Sequence, residues 1–172
     1  GKRLHPITTR RTKAMVPGAG KPMVERVVDR LGEQGIDDFI ILISPEDSEI
    51  APHFARARPE LRIRFVMQPE RLGIAHALSL AAPYGVGDFV LSACDNLTPN
   101  GHLGEMLATH RVRRATATLS LMPIDIAYAG STGIVDLQDG WVRRIVEKPR
   151  PEEAPSNISS LPLYVFAPRI LD

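Results

Sequence analysis

Short apolar segments of strand length alternate along this chain with segments of helical periodicity, and this alternation most restricts the fold that the chain can adopt. Residues 39–43 form a continuous apolar run, which is typical of a strand covered on both faces of a sheet. Strands separated by helices favour parallel pairing through crossover connections. Strands are predicted at 38–43, 62–67, 88–93 and 115–121. Helices are predicted at 21–34, at 74–82 and from Leu103 to His110. A further helix is predicted after the capping segment 44–47, with Ile50 and Phe54 facing inward. We therefore predict a three-layer α/β/α domain with a mainly parallel sheet.

The pattern changes after residue 125. Residues 133–137 and 141–147 flank Asp139-Gly140, which is a strong signal for a hairpin with a type I′ turn. Three further segments follow: a loop at 149–155, a strand at 161–167 and a helix opened by Pro168. The chain has no internal repeat, low-complexity tract or linker, so one domain over residues 1–172 with an added β-hairpin is expected.

The composition excludes several classes of protein. The 21 basic and 20 acidic residues balance, which gives no charge-based reason to expect nucleic acid or a membrane as a partner. Aromatic residues make up 5% of the chain, too few for base-stacking platforms, and residues 39–43 are too short a run to span a bilayer. The single cysteine, Cys94, excludes an intrachain disulfide and favours a cytoplasmic location.

The N-terminal segment is the exception to this balance. Five basic residues lie within the first 13 positions, before the first acidic residue, Glu25, and they are Lys2, Arg3, Arg10, Arg11 and Lys13. Pro6 and Pro17 interrupt any amphipathic helix of the transit-peptide kind. A solvated basic tail and a phosphate-binding loop both remain open.

Two candidate site residues follow predicted strands, where open α/β sheets bind their ligands. Asp95 could hold Mg²⁺ together with phosphate oxygens, although an Asp there also caps turns. Lys148 could bind phosphate or be merely solvated, and Pro149 is expected to hold it in an extended conformation. The segment Gly18 to Lys21 fails the phosphate-loop pattern, because Met15 and Pro22 stand where it needs Gly and Ser or Thr.

Five segments, taken in order, resemble the signatures of sugar-1-phosphate nucleotidyltransferases. Residues 1–8, 13–17 and 21–23 are similar to G-x-G-T-R-L-x-P-x-T…P-K-x-x-x-P…K-P, and residues 68–77 to Q-x-x-x-L-G-T-A-H-A. Residues 95–96 match the end of G-D-N, residues 147–149 match E-K-P, and residues 156–166 resemble S-N…G-x-Y-x-F. Lys2, Ile74 and Cys94 depart from these patterns.

The resemblance implies a Rossmann-like fold and an attack by a sugar 1-phosphate on the α-phosphorus of a nucleoside triphosphate. It assigns the nucleotide to Gly1, Arg3, Lys13, Gln68 and Gly73, Mg²⁺ to Asp95, and the sugar phosphate to Gly133, Glu147 and Lys148. Arg3, Lys13, Asp95 and Lys148 would be the catalytic residues. The family's first strand and its C-terminal part are expected to lie outside this chain, and a homo-oligomer is compatible with the resemblance.

Two alternatives accompany this prediction. One is a non-catalytic regulatory subunit on the same fold, and the other is a nucleotidyltransferase for another phosphorylated acceptor such as phosphocholine. For the base, the resemblance favours UTP or dTTP, since the Gln68 amide could pair with the N3–H and an adjacent carbonyl of uracil or thymine.

Overall fold

The computed structural model describes residues 12–70, 72–85 and 87–171. Nine strands and four α-helices lie in these ranges. The strands are β1 (Pro17–Gly18), β2 (Lys21–Pro22), β3 (Asp38–Ile43), β4 (Arg62–Met67), β5 (Phe89–Ser92), β6 (Ala117–Pro123), β7 (Gly133–Gln138), β8 (Trp141–Glu147) and β9 (Ile158–Phe166). The helices are α1 (Met23–Gly32), α2 (Ile50–Ala57), α3 (Gly73–Ala81) and α4 (His102–Arg113).

Strands β3 and β4 pair in parallel over their full lengths, from Asp38 opposite Arg62 to Ile43 opposite Met67. Helix α2 supplies the crossover that parallel pairing requires. The first hydrophobic core lies against this pair of strands. Its buried members are Ala14, Val24, Val28, Phe39, Ile50 and Phe54. Because α1 and α2 both bury residues in this core, the amphipathic pattern of each helix determines which face covers the strands.

The longest strand, β9, organises a second sheet of five strands. At Val165, β9 is flanked by β5 and β6, and at Ser159 it is flanked by β6 and β7. A strand has two edges, and β6 occupies one of them at both positions. Strands β5 and β7 therefore follow one another along the other edge of β9. Leu103 and Met106 of α4 cover this sheet through contacts with Leu163 and Val165.

The α/β prediction and the added hairpin are confirmed, and the strands at 38–43 and 62–67 have the predicted bounds. Asp139 and Gly140 both have positive φ, at 53° and 75°, as the predicted type I′ turn requires. The sheet is less parallel than predicted, because β3 with β4 is the one parallel pair among the described strands. Strands β6 to β9 are joined without a crossover α-helix, and they pair antiparallel.

Three local predictions are wrong in their detail. Residues 44–47 do not cap α2, which begins at Ile50; instead Asp47 accepts hydrogen bonds from the backbone N–H and hydroxyl of Ser44 and closes a turn. Lys21 and Pro22 belong to β2 and precede α1, because Lys21 pairs with Gly18. The helix predicted at Pro168 is a short 3-10 helix, Pro168–Leu171. None of the helices among the described residues combines the length and apolar character that crossing a bilayer requires.

Candidate functional site

The basic N-terminal segment and the end of β5 meet at an ion pair between Lys13 and Asp95. Lys13 opens the short 3-10 helix Lys13–Met15, which α1 contacts, and Asp95 lies in the turn after β5. The Asp95 side chain is 33% exposed, so this carboxylate is accessible at the surface while it contacts the lysine. Two predicted site residues from distant parts of the sequence are thus in direct contact.

Two residues adjacent in sequence to this ion pair carry buried polar atoms without partners among the described residues. Thr12 Oγ1 and Asn96 Nδ2, each adjacent in sequence to one member of the pair, have no hydrogen-bond partner among the described residues. An unsatisfied buried polar group costs about 1–3 kcal/mol, so such atoms are unusual unless a ligand or water completes them. A hydroxyl and an amide N–H are groups that can donate to phosphate oxygens.

Cys94 lies between the apolar core and Asp95. It packs against the first core, and burial raises the pKa of its thiol. The Asp95 carboxylate raises that pKa further, Lys13 lowers it, and Asp47 raises it. A thiol whose pKa is raised is a poor nucleophile near neutral pH, and Cys94 is therefore a structural residue beside the site.

A second group lies where β4 ends and α3 begins. The Gln68 backbone N–H donates to the Ile43 carbonyl at 2.8 Å and continues the β3–β4 register. The Gln68 side-chain Nε2 lies 3.3 Å from the Gly73 carbonyl oxygen and 3.1 Å from His76 Nδ1. Gly73 has a φ of 88°, which favours glycine, and a Cβ there would meet nothing within 4 Å. Among the described residues, the space beside the Gly73 Cα is therefore open.

The third group forms at the start of β7 and the end of β8. Gly133 and Glu147 are register partners, and a Cβ on Gly133 would lie 3.3 Å from Glu147 Oε2 and 3.0 Å from Ile145 Cγ2. Lys148 Nζ lies 3.0 Å from Glu147 Oε1. The absence of a side chain at Gly133 lets the Glu147 carboxylate lie directly over the backbone.

The expectation of an extended Lys148 is wrong. Its φ is 49°, in the left-handed region that non-glycine residues rarely adopt. The Lys148 N–H donates to the Thr132 carbonyl at 3.0 Å, and Pro149 is buried. These two tertiary constraints outweigh the preference of a residue before proline for an extended backbone, and they hold Lys148 in the left-handed conformation.

The shared edge of β9 brings the Asp95 and Gly133 groups near one another. The Ala93 N–H donates to the Pro162 carbonyl as β5 ends, and Ser159 pairs with Ile134 as β7 begins. Three residues along a strand span about 10 Å. The buried Ser160 Oγ, which lacks a partner among the described residues, lies between these two positions. The Asp95 loop and the start of β7 therefore border one region.

The Gln68 group stands apart in its direct contacts. Among the described residues, no hydrogen bond or ion pair links it to the other two groups. The predicted residues Gly1 and Arg3 lie outside the described residues. Sequence reasoning gave no role to His76 or Thr132, although His76 stands within the quoted segment 68–77 and Thr132 directly precedes Gly133.

A magnesium ion fits this site only if the protein and the phosphate oxygens of a substrate coordinate it together. In the part of the chain that the structure describes, no three His, Cys, Asp or Glu side chains form a cluster that could hold a metal. Mg²⁺ is commonly held by one or two carboxylates together with phosphate oxygens of the substrate. The accessible carboxylate of Asp95 is suited to that arrangement.

Comparison with known proteins gives a consistent result. The profile of the family described as "Nucleotidyl transferase" matches residues 1–172. The chain is 31% identical to a UTP–glucose-1-phosphate uridylyltransferase of Haloferax volcanii over 171 residues, which cover 99% of this chain and 69% of the relative. It is 30% identical to a low-salt glycan biosynthesis nucleotidyltransferase of the same organism and spans 48% of that protein.

A solved structure shares the fold. The UDP-glucose pyrophosphorylase from Acinetobacter baumannii superposes with a TM-score of 0.87 at 26% identity, covering 98% of this chain and 71% of that protein.

Proposed function

This chain belongs to the nucleotidyl transferase family, and on that premise we propose that it transfers a nucleotidyl group from UTP or dTTP to a sugar 1-phosphate. The products are a nucleotide-sugar and pyrophosphate. The observation that carries the proposal is the contact of Lys13 with Asp95 beside partnerless polar atoms, since it joins a cation and a carboxylate at one place. Relatives named as UTP–glucose-1-phosphate uridylyltransferases make glucose 1-phosphate the first acceptor to test.

The chemistry explains why such a site uses lysines and requires no nucleophilic side chain. An oxygen of the sugar phosphate bonds to the α-phosphorus, and the bond from that phosphorus to pyrophosphate breaks. The attacking phosphate is already an anion at neutral pH, so no side chain has to remove a proton. The obstacle is repulsion between two anions, which preorganised cations and hydrogen-bond donors reduce.

Lys13 is the described residue that we assign to the triphosphate, together with Gly1 and Arg3 outside the described residues. Its ammonium group now pairs with Asp95, so binding of the triphosphate exchanges one anionic partner for another. Thr12 Oγ1 and Asn96 Nδ2 belong to residues adjacent in sequence to this pair, and they would gain phosphate oxygens as partners.

Asp95 is the residue that would hold Mg²⁺, with phosphate oxygens as further ligands. When bound, the ion would neutralise phosphate charge and orient the two substrates. Release of Asp95 from Lys13 frees a carboxylate for this role and a lysine for the triphosphate at the same time.

Lys148, Glu147 and Gly133 are assigned to the sugar phosphate. The Lys148 ammonium supplies a charge for the phosphate, and the Glu147 carboxylate can accept hydrogen bonds from sugar hydroxyls. The edge of β9 supports this assignment, because Pro162 and Ser159, which contact the start of the Asp95 loop and the start of β7, lie about 10 Å apart along β9. A sugar phosphate that spans this distance would present its phosphate to the triphosphate.

The base is assigned to Gln68 and Gly73, with Leu72 and Ile74 beside them. These two apolar side chains are 61% and 55% exposed, which leaves an apolar surface next to the amide for a planar base. A regulatory subunit and a phosphocholine transferase are not favoured, because two relatives are named as enzymes that use a sugar 1-phosphate. We also place the protein in the cytoplasm, in keeping with its single cysteine.

The test is release of pyrophosphate by the full chain. We expect release to require UTP or dTTP, glucose 1-phosphate or another sugar 1-phosphate, and Mg²⁺ together, with a nucleotide-sugar identified by mass spectrometry. Pyrophosphate release without any acceptor, or release with phosphocholine and with none of a panel of sugar 1-phosphates, would contradict the proposal.

A further inference from the structure

The Gln68 carboxamide has both of its donor hydrogens engaged within the protein. Its Nε2 faces the Gly73 carbonyl oxygen at 3.3 Å and His76 Nδ1 at 3.1 Å. A carboxamide carries two N–H donors and one oxygen acceptor. With both donors used, the group that remains for a ligand is the oxygen, Oε1.

The Gly73 carbonyl and the nearer His76 Nδ1 together determine which way the amide points. A carbonyl oxygen can only accept, so the reverse orientation would place two oxygens against each other. The same orientation fixes the tautomer of His76. Its Nδ1 must accept the hydrogen bond from the Gln68 Nε2, so the proton of the imidazole ring must reside on the His76 Nε2. His76 is half-buried and lies on the first turn of α3, where the helix backbone holds it in place.

We infer that His76 is a positioning residue for base selection: it holds the Gln68 amide with its oxygen free, so that the base is recognised through an acceptor alone. This inference rests on the proposed function, since it concerns the base of the nucleotide substrate. It differs from the expectation that Gln68 both accepts from and donates to the base, because both donors have partners in the protein.

An acceptor at this place discriminates between two pyrimidines of similar shape. Uracil and thymine carry N3–H, which can donate to Oε1. Cytosine in the same pose presents the lone pair of its N3, which Oε1 repels. If His76 is replaced by an apolar residue, the amide keeps only the longer contact of 3.3 Å with the Gly73 carbonyl, and it can leave that contact and turn an N–H toward the base. Cytosine then gains a donor, and uracil loses its acceptor.

The kinetic test compares kcat/KM for UTP and CTP at a fixed concentration of glucose 1-phosphate. We expect His76→Leu to lower the UTP/CTP ratio about tenfold, mainly through a higher KM for UTP. We expect His76→Asn, whose Oδ1 can take the position of Nδ1, to restore most of the ratio. His102→Leu is the matched control, since His102 also bonds to a side chain from a helix, Ser120 Oγ at 2.8 Å, and it should leave the ratio unchanged.

Equal loss of both activities in His76→Leu, with the ratio unchanged, would overturn the inference and leave His76 a structural residue. A second measurement does not depend on activity: ¹⁵N NMR of the wild-type chain should show His76 as the Nε2–H tautomer. Dominance of the Nδ1–H tautomer would also overturn the inference. If the wild type used no nucleoside triphosphate, the proposed function would fail, while the tautomer would still decide how His76 holds Gln68.

Discussion

Two lysine–carboxylate pairs lie in the candidate site, and they are built differently. Lys13 and Asp95 come from distant parts of the chain and meet through tertiary folding, with side chains that are 45% and 33% exposed. Lys148 and Glu147 are neighbours in sequence, with side chains that are 59% and 68% exposed. The residues next to the first pair in sequence, Thr12 and Asn96, carry buried polar atoms without partners among the described residues, whereas the second pair is solvated and its backbone is strained.

The two pairs therefore differ in how the fold places a charged side chain for a substrate. Exposed ion pairs contribute about 0–1 kcal/mol, so the contact between Lys148 and Glu147 itself stabilises little. What the fold determines there is the direction of the backbone, through the Lys148 N–H and the Thr132 carbonyl. At Lys13 and Asp95 the fold determines which charges meet. Loss of a charge should therefore affect turnover most at Asp95 and acceptor use most at Lys148.

The largest effect is expected for Asp95→Asn. Loss of the carboxylate that holds Mg²⁺ should lower kcat by about a hundredfold or more, since metal-based charge stabilisation supplies several kcal/mol. Pyrophosphate release at saturating substrates, with and without a chelator, measures this. Asp139→Asn at the exposed hairpin turn is the matched control, because Asn tolerates the positive φ there. Full activity of Asp95→Asn, or of the wild type in chelator, would remove the metal assignment.

Lys148→Ala should lower kcat/KM for the sugar phosphate by about ten- to a hundredfold, as loss of a charge-assisted contact does. Triphosphate affinity, measured by calorimetry, should stay nearly unchanged.

Lys148→Gly separates charge from backbone at the same position. It should lose as much activity as Lys148→Ala, yet be more stable by about 1 kcal/mol, because glycine relieves the φ of 49°. Urea unfolding measures that difference. If triphosphate affinity falls in both variants and the sugar-phosphate KM does not move, Lys148 belongs with Lys13 and the contrast between the two pairs disappears.

The Gln68 amide carries no charge, so its replacement serves as a comparison for the variants of the two ion pairs. We expect UTP or dTTP to be preferred over ATP and GTP, and Gln68→Leu to reduce that preference about tenfold, because a mismatched base leaves a polar group unpaired. Ranking kcat/KM over five nucleoside triphosphates tests this. Gln138→Leu, in the hairpin, should keep the wild-type ranking. A wild type that works best with ATP or GTP would contradict the base assignment.

The smallest effect concerns Cys94, which reports on the first pair without any substrate. Burial and the Asp95 carboxylate raise the pKa of its thiol, so native alkylation by iodoacetamide should be slow at pH 7 and accelerate with rising pH. Asp95→Asn should speed alkylation about two- to fivefold, and Lys13→Met should slow it, because Lys13 lowers that pKa. Equal rates in all three proteins would show that the pair does not influence the thiol.

The same thiol links stability to pH. The folded chain holds the Cys94 proton more tightly than the unfolded chain, because the folded pKa is raised. This contribution is therefore present below the unfolded pKa and disappears as pH rises through the folded pKa.

Local patterns predicted the regular elements well where one physical rule dominates. The strands at 38–43 and 62–67 have the predicted bounds, because continuous or alternating apolar residues leave few other ways to bury them. The turn at Asp139-Gly140 follows from the few residues that adopt positive φ. Prediction failed at residues 44–47, where Asp47 bonds back to Ser44 and closes a turn before α2. Both outcomes suit an Asp, and sequence alone does not separate them.

In the candidate site, too, some features follow from the sequence alone and others from the tertiary structure. The residue types and their order along the chain, including Asp95 and Lys148 after strands, are properties of the sequence and support the family assignment by themselves. Tertiary structure decided that Lys13 pairs with Asp95, that β5 and β7 share one edge of β9, and that His76 occupies a donor of Gln68. It also decided the left-handed Lys148, against its local preference. Contacts between distant residues depend on how elements pack, and a packed backbone can impose a conformation that costs about 1–2 kcal/mol, which no local pattern reveals.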